Sequence, residues 1–172
     1  MALRRILHYP DPLLRQVSQP VAEIDDEIRE LARDMAETMY AAPGVGLAAP
    51  QVGVLKRLIV LDCARQDEAP QLMTAVNPEI LEGAGEINEE EGCLSVPSYY
   101  ARVVRQPEVR VRFLNLDGAV VEMNAEGLLA VAFQHEIDHL NGVLFVDHLS
   151  SLKKSLFKKK YKKILEQKQE EL

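Results

Sequence analysis

Hydrophobic residues recur at helical spacing in three stretches of this chain. In the first stretch the repeat runs from about Asp25 to Tyr40, and Pro43 predicts that the helix ends just after it. The second begins at Asn124, a residue type that caps helices, and ends at Asn141-Gly142. The third is an amphipathic C-terminal helix expected to pack loosely, with a stripe formed by Leu152, Leu156, Phe157, Tyr161 and Ile164.

Alternating and β-branched residues predict strands between these helices. Residues 57–63 and 72–77 are short runs rich in branched apolar side chains. Residues 109–113 and 119–123 flank an Asp-Gly turn, which is typical of a hairpin. Residues 82–92 are acidic and contain glycine, so a loop is expected there. Hairpins together with separate helices indicate an α+β fold, in which antiparallel β-sheets pack around the central helix, with an N-terminal and a C-terminal helix.

The length and composition fit a single compact unit. The chain has 172 residues, of which 47% are hydrophobic and 27% charged, and this size supports one hydrophobic core. We expect residues 1–148 to form the main domain and residues 149–172 to form a basic helix packed on it. Charges and a proline interrupt the first ten positions, and no later apolar run reaches membrane length. The expected protein is soluble and cytoplasmic, without a membrane partner.

Charge is divided unevenly along the chain. The net charge is −7, but Ser150 to Leu172 carry eight lysines against three glutamates, or +5, which leaves −12 for residues 1–149. An acidic body argues against sequence-specific or general nucleic-acid binding, whereas the lysine-rich end could contact a polyanion. The two cysteines, Cys63 and Cys93, are expected to be free or metal-bound in a reducing compartment.

The central helix carries a His-Glu-x-x-His motif. His135 and His139 lie one turn apart on one face, so both imidazoles can meet a single divalent metal. Glu136 is displaced by about 100° around the axis, which suits it to handle a water molecule beside the metal. A metal held there would lower the pKa of such a water molecule from about 15.7 toward roughly 7 to 9. The motif therefore predicts a hydrolytic site, with Glu136 as the general acid and base.

Two histidines leave a metal short of ligands, because catalytic sites usually have three from the protein and one open position. Downstream, His148 lies nine residues after His139, and Phe145 occupies the place of the third histidine in the longer zinc-protease motif. Cys93 is the better candidate, since a thiolate suits iron(II), zinc, nickel or cobalt. Glu91 and Asp138 are expected either to support neighbouring residues or to be solvated.

Three segments resemble the motifs of the peptide deformylase family, in the same order. They are Gly44-Val45-Gly46-Leu47-Ala48-Ala49-Pro50-Gln51, Glu91-Gly92-Cys93-Leu94-Ser95 and Gln134-His135-Glu136-Ile137-Asp138-His139. The resemblance covers essentially the whole chain, including the C-terminal helix of one bacterial type. Ser98-Tyr99-Tyr100 departs from it, because many bacterial relatives carry a more polar segment with an arginine there.

The resemblance implies a metal-dependent hydrolase that removes the formyl group from the formyl-methionine of newly made polypeptides. It implies iron(II) as the cellular metal, although zinc, nickel or cobalt would also suit Cys93, His135 and His139. It further implies that the Gln51 side-chain amide and the Leu94 backbone N–H stabilise the developing oxyanion, each worth about 3 to 4 kcal/mol in comparable enzymes.

Substrate contacts are implied on both sides of the metal. The residues concerned are Gly44, Val45, Gly46, Leu128, Val131 and Ala132. Glycine allows a close approach of the ligand, and Val45 could close a methionine pocket. The last three residues are core-like by pattern alone, and the resemblance assigns them to that pocket. The lysines of the C-terminal helix are either its solvated face or a contact with the RNA of the ribosome.

Two other functions remain open on the residues alone. A zinc aminopeptidase or endopeptidase would use the same metal, water and glutamate, but its third ligand normally lies downstream of the helix. Such a peptidase would release methionine from Met-Ala-Ser, whereas a deformylase would release formate from formyl-Met-Ala. A non-catalytic metal module is disfavoured, because structural zinc sites usually have four protein ligands and need no glutamate beside the first histidine.

Overall fold

The computed structural model describes residues 2–170, so residue 1 and residues 171–172 of the two expected domains lie outside the described residues. Within that range there are three α-helices and seven β-strands. The helices are α1 (Asp26–Ala41), α2 (Gly127–Leu140) and α3 (Ser151–Glu170). The strands are β1 (Gly46–Ala48), β2 (Leu58–Leu61), β3 (Met73–Ala84), β4 (Ile87–Cys93), β5 (Val96–Arg105), β6 (Glu108–Leu114) and β7 (Val120–Glu126).

Two antiparallel sheets contain all the strands of the described residues. Five strands form one sheet in the order β1-β2-β3-β6-β7. Within it, β6 and β7 form the predicted hairpin, in register from Glu108↔Glu126 to Leu114↔Val120. The second sheet consists only of the β4–β5 hairpin. The predicted α+β class with antiparallel sheets and three helices is confirmed.

Helix α1 follows the predicted pattern to within one residue at each end. The Asp25 carboxylate accepts a hydrogen bond of 3.0 Å from the backbone N–H of Ile28, which satisfies one otherwise unpaired donor of the first turn. The apolar face packs against the five-stranded sheet, and Met35 and Met39 belong to the same buried cluster as Leu58 and Val60 of β2. The helix ends before Pro43, as expected.

The prediction of a loop at residues 82–92 was wrong. Strand β3 continues to Ala84, and β4 occupies Ile87–Cys93, so most of this acidic segment is extended. Its hydrogen bonds come from partners that are distant along the chain, for example in the pairs Gly83↔Val109 and Glu89↔Val103. Pairing with a neighbouring strand therefore overrides the weak β propensity of glutamate and glycine.

The prediction that Asn124 caps the central helix was also wrong. Asn124 lies in β7 opposite Arg110, and its side chain accepts a hydrogen bond from that arginine. Helix α2 begins only after Glu126, which provides no side-chain cap. The strand thus runs three residues further than the sequence indicated, because its backbone is paired with β6 to its last residue.

Helix α2 lies between the two sheets and carries the histidine motif into the interior. Ala130 and Phe133 pack against the five-stranded sheet, where the Phe133 ring lies 5.9 Å from the ring of Phe113. On another side of the helix, His135 contacts Glu91 of β4. The helix ends at the predicted Asn-Gly pair, and Gly142 has the positive φ of 74° that favours glycine there.

Helix α3 packs more tightly than expected, along a narrower stripe. Its buried contacts belong to an aromatic cluster, which consists of Tyr9, Tyr99, Phe157 and Tyr161. Phe157 and Tyr161 are only 2% and 1% exposed, whereas Leu152 and Leu156 are 71% and 56% exposed. The expectation of loose packing is therefore wrong for the centre of the helix, and only some residues of the predicted stripe make apolar contacts. No helix within residues 2–170 combines the length and apolar composition needed to cross a membrane.

Candidate active site

The two histidines of α2 present their rings in the same direction. His135 and His139 are one turn apart, and their ring centroids are separated by 5.0 Å. Both side chains and the intervening Glu136 are buried. Because the hydrophobic contacts of α2 fix its orientation between the sheets, these three side chains are held in place by the core rather than by a loop.

Cys93 approaches the histidines from the end of β4. Regular pairing of β4 with β5 breaks between Gly92 and Cys93, and the chain turns there toward α2. The Cys93 Sγ atom lies 3.3 Å from Nε2 of His139. One ligand atom each from Cys93, His135 and His139 lies within 4.8 Å of the other two. A thiolate and two imidazoles at this spacing fit a single divalent transition metal, and they leave one position of a tetrahedral set open.

Glu91 fixes the orientation of the His135 ring. Its Oε1 atom accepts a hydrogen bond from Nδ1 of His135 at 3.0 Å, which leaves Nε2 of that ring for a metal. The Arg105 guanidinium donates to both oxygens of the same carboxylate, at 2.8 and 3.0 Å. Burial acts to raise the pKa of Glu91, but the hydrogen bonds from His135 and Arg105 lower it to about 2. Glu91 is therefore a charged carboxylate that is hydrogen-bonded to both His135 and Arg105, and it is not solvated.

Arg105 extends this support to the far end of the histidine motif. Its Nη1 atom donates to Asp138 Oδ2 at 2.7 Å, and Nε2 of His148 donates to the same oxygen at 2.8 Å. Sequence reasoning did not single out Arg105, because it is 14 residues from Glu91 and 33 from Asp138, and nothing local marks it. His148, considered above as a ligand, instead supports Asp138 and is not one of the three side chains that could hold a metal.

Gln51 is held so that its amide nitrogen faces the metal-binding group. The short helix that contains it, Ala49–Val52, follows β1 directly. The Oε1 atom of Gln51 accepts a hydrogen bond from the backbone N–H of Ala48 at 2.9 Å. Its Nε2 atom donates to Ser95 Oγ at 3.0 Å and lies 3.6 Å from Cys93 Sγ. Ser95, the last residue of the cysteine motif, thus orients Gln51, a role that the sequence did not reveal.

Glycines are required where the cleft wall meets the side chains of Glu136 and Leu94. A Cβ atom on Gly46 would lie 2.6 Å from Oε2 of Glu136, and one on Gly44 would lie 2.8 Å from Cδ1 of Leu94. Neither glycine has a positive φ, so close approach and not backbone conformation explains the residue type. The space that Gly46 leaves is occupied by the Glu136 carboxylate itself.

The Glu136 carboxylate is buried beside the histidines. Its Oε1 atom has no hydrogen-bond partner within residues 2–170. Burial raises the pKa of Glu136 to about 7, against the opposing influence of His135 and Arg105. A buried acceptor that the protein leaves unpaired is suited to bind a water molecule or a polar group of a ligand.

The remaining predicted residues line a cleft of about 920 Å³. It is lined by Gly44, Val45, Gly46, Gln51, Glu91, Cys93, Leu94, Leu128, Val131, Ala132, His135 and Glu136, among others. Val45 and Leu128 are exposed at its rim, whereas Ala132 is buried. His139 does not line the cleft and lies deeper in the interior. Ile87, Val103 and Tyr100 also line it, although sequence reasoning gave none of them a role.

Comparisons with known proteins agree with this geometry. A family model described as polypeptide deformylase matches residues 3–155. The chain is 58% identical over 164 residues to a peptide deformylase of Phenylobacterium zucineum, covering 95% of this chain and 97% of that protein. A peptide deformylase crystal structure from Legionella pneumophila matches with a TM-score of 0.89 and 47% identity, over 96% of this chain and 97% of the other. A peptide deformylase of Ehrlichia chaffeensis in complex with actinonin matches with a TM-score of 0.89 and 39% identity, over 95% and 98% of the two chains.

Proposed function

Because this chain belongs to the peptide deformylase family, whose members are metal-dependent hydrolases that remove the formyl group from nascent chains, we propose which of its residues perform that reaction. The proposal depends on one observation, the convergence of ligand atoms from Cys93, His135 and His139 to within 4.8 Å beside a cleft. We assign these three residues as the metal ligands, and Glu136 as the general acid and base.

A metal in this site supplies Lewis acidity, which polarises the formyl carbonyl and makes a water molecule more acidic. We propose iron(II) as the cellular metal, with zinc, nickel or cobalt as substitutes in a purified sample. The mixed sulfur and nitrogen donor set supports all four ions. Zinc generally binds such a set more tightly than iron(II), so metal supply must decide occupancy in the cell.

Glu136 performs the proton transfers in this proposal. Its unpaired Oε1 atom accepts a proton from the attacking water and returns it to the departing amine. The Gln51 amide and the Leu94 backbone N–H donate to the carbonyl oxygen as that atom becomes negatively charged. Because Ala48 and Ser95 hold the Gln51 side chain in advance, little reorganisation is needed when the oxyanion forms.

The cleft walls select the substrate. We propose that Leu128, Val131 and Ala132 hold the methionine side chain, with Val45 closing the opposite side. Burial of a methionine side chain contributes about 1.5 to 3 kcal/mol, which gives a preference and not an absolute selection. Gly44 and Gly46 keep the wall flat, so that the peptide backbone can lie against it. We propose that actinonin, which is bound in the Ehrlichia chaffeensis structure, also occupies this cleft and competes with formyl peptides.

The assignments are tested by measuring formate release and bound metal in the same preparations. Glu136→Ala is expected to keep fold and metal but to lose most of its turnover. Cys93→Ala is expected to lose the metal, while Cys63→Ala, the matched change at the other cysteine, keeps it. Near-normal turnover in the glutamate variant would refute the assigned base. Full metal content in Cys93→Ala would refute the ligand set.

The choice of metal is tested by anaerobic reconstitution with one ion at a time. We expect iron(II) to give the fastest formate release from formyl-Met-Ala, and exposure to air to inactivate that sample but not the zinc-loaded one. A zinc-loaded enzyme that is faster than the iron(II)-loaded enzyme would contradict the proposal. Release of methionine from Met-Ala-Ser, measured in parallel, would indicate peptidase activity instead.

We further propose that the basic helix docks the enzyme on the RNA of the ribosome, in the cytoplasm, where formyl-methionyl chains are made. In this view residues 1–148 are the catalytic domain and residues 149–172 the helix packed on it. The exposed lysines of α3 support the idea, since they form the one strongly basic segment of an acidic chain. Replacement of Lys154, Lys158 and Lys162 by glutamine should weaken cosedimentation with ribosomes in a salt-dependent manner without changing turnover of formyl-Met-Ala. Unchanged cosedimentation would discard this part of the proposal.

A further inference from the structure

Residues 42–46 form a wall of the cleft and have no polar side chains to hold them. The segment reads Ala-Pro-Gly-Val-Gly, so the hydrogen bonds that hold it are those of its backbone. All five residues line the cleft. A segment with two glycines has a large conformational entropy when it is not held, so its anchors matter for any ligand that lies against it.

Backbone hydrogen bonds anchor this segment at both sides. Its first residue, Ala42, donates to the carbonyl oxygen of Thr38 at 3.1 Å, and its last, Gly46, is paired with Leu61 of β2. Two further bonds hold the residues between them. The N–H of Gly44 donates to the carbonyl oxygen of Met39, in the last turn of α1, at 2.8 Å. The carbonyl oxygen of Val45 accepts from the N–H of Asp62, just beyond β2, at 2.9 Å. These two bonds therefore attach the wall to the end of α1 and to the end of β2.

A side-chain hydrogen bond joins these two anchors. The hydroxyl of Tyr40, the residue after Met39, donates to the Asp62 carboxylate at 2.5 Å. That carboxylate is buried and also accepts from the N–H groups of Ala64 and Gln71. Burial and the hydrogen bond to Asp62 together raise the pKa of Tyr40 to about 12. Together with the two backbone anchors, this bond closes a ring of hydrogen bonds across the base of the wall. The ring passes through Met39, Tyr40, Gly44, Val45 and Asp62.

We propose that the hydrogen bond between Tyr40 and Asp62 is a clamp that positions residues 42–46 for binding of the formyl peptide. Neither side chain lines the cleft, so both are positioning residues and not catalytic residues. The inference depends on the proposed function, in which the peptide lies against Gly44 to Gly46. A wall that contacts substrate and transition state alike contributes uniform binding, so its disorder raises KM and leaves kcat unchanged.

The test is Tyr40→Phe, with Tyr161→Phe as the matched control. Tyr161 is the control because its hydroxyl is buried and has no hydrogen-bond partner among the residues that the structure describes. Tyr40→Phe is expected to raise KM for formyl-Met-Ala-Ser about fivefold, the size expected for the loss of one hydrogen bond, with kcat and metal content unchanged. Hydrogen exchange of the Gly44 and Asp62 amides should accelerate in Tyr40→Phe and stay at the wild-type rate in the control.

A second variant, Asp62→Asn, keeps the backbone anchor and a carbonyl acceptor but removes the charge, and it should raise KM by a smaller factor. An unchanged KM in both variants would overturn the clamp. A fall in kcat together with loss of metal would also overturn it, because that result indicates a general structural role. A wild-type enzyme that releases no formate would instead refute the proposed function, so the two failures are distinguishable.

Discussion

The replacement of Gly46 by alanine tests whether the position of Glu136 limits the reaction. The new Cβ atom would lie 2.6 Å from Oε2 and 3.0 Å from Cδ of Glu136. An ordinary contact of 3.4 Å requires the carboxylate to retreat by about 0.8 Å. Since a displacement of about 1 Å can cost about 100-fold in rate, we expect kcat to fall roughly 30- to 100-fold, or about 2 to 2.7 kcal/mol.

The assay is formate release from formyl-Met-Ala, with metal content and unfolding measured on the same preparations. The atoms that must yield belong to a side chain and not to the backbone, so the fold and the metal ligands should be unaffected. Gly83→Ala is the control, because the three atoms nearest to its Cβ would all belong to the flexible end of the exposed Gln106 side chain. A Gly46→Ala enzyme within threefold of the wild-type kcat would refute the reasoning.

Three further predictions concern the supports of the site and the stability of the fold. Arg105→Lys should bind metal about 10- to 100-fold more weakly, because lysine cannot reproduce the paired hydrogen bonds to Glu91. Competition with a chelator measures this affinity, and an unchanged affinity would contradict the prediction. Phe157→Ala should lower the free energy of unfolding by about 3 to 5 kcal/mol in urea titrations, whereas Leu156→Ala, at an exposed neighbouring position, should cost less than about 1 kcal/mol. Equal costs for both would exclude the aromatic cluster as a source of stability. Hydrogen bonds from the N–H of Ala2 and from Arg4 lower the pKa of the buried Asp34 carboxyl below its ordinary value of 3.8, so its stabilising effect is present above that pH and is lost below it. Relative to Asp34→Asn, the wild type should therefore lose unfolding free energy in urea titrations as the pH falls below about 4, and parallel pH profiles would contradict the assignment.

The sequence predicted those parts of the fold in which neighbouring residues alone decide the structure. The alternation around Asp117-Gly118 predicted the β6–β7 hairpin, since a tight turn and a repeat of two are local properties. The spacing of His135 and His139 predicted one shared helical face, which the structure has. These patterns need no knowledge of distant partners.

Features that depend on distant partners could not be predicted in this way. Residues 87–93 are polar and acidic, and they become a strand only because β5 returns beside them. The support of Glu91 by Arg105 arises because that hairpin turns Arg105 back toward α2. The requirement for glycine at position 46 likewise appears only when β1 and Glu136 are brought together.

The burial of Phe157 and Tyr161 determines how the enzyme is presented to any partner of α3. Their rings join α3 to Tyr9 and Tyr99, and the same apolar cluster includes Cys93. The helix is therefore not a flexible tether, and a helix of 20 residues extends over about 30 Å. A partner that binds the lysines of α3 would hold the whole enzyme in one orientation. That attachment would therefore set the direction in which the cleft opens toward an arriving polypeptide.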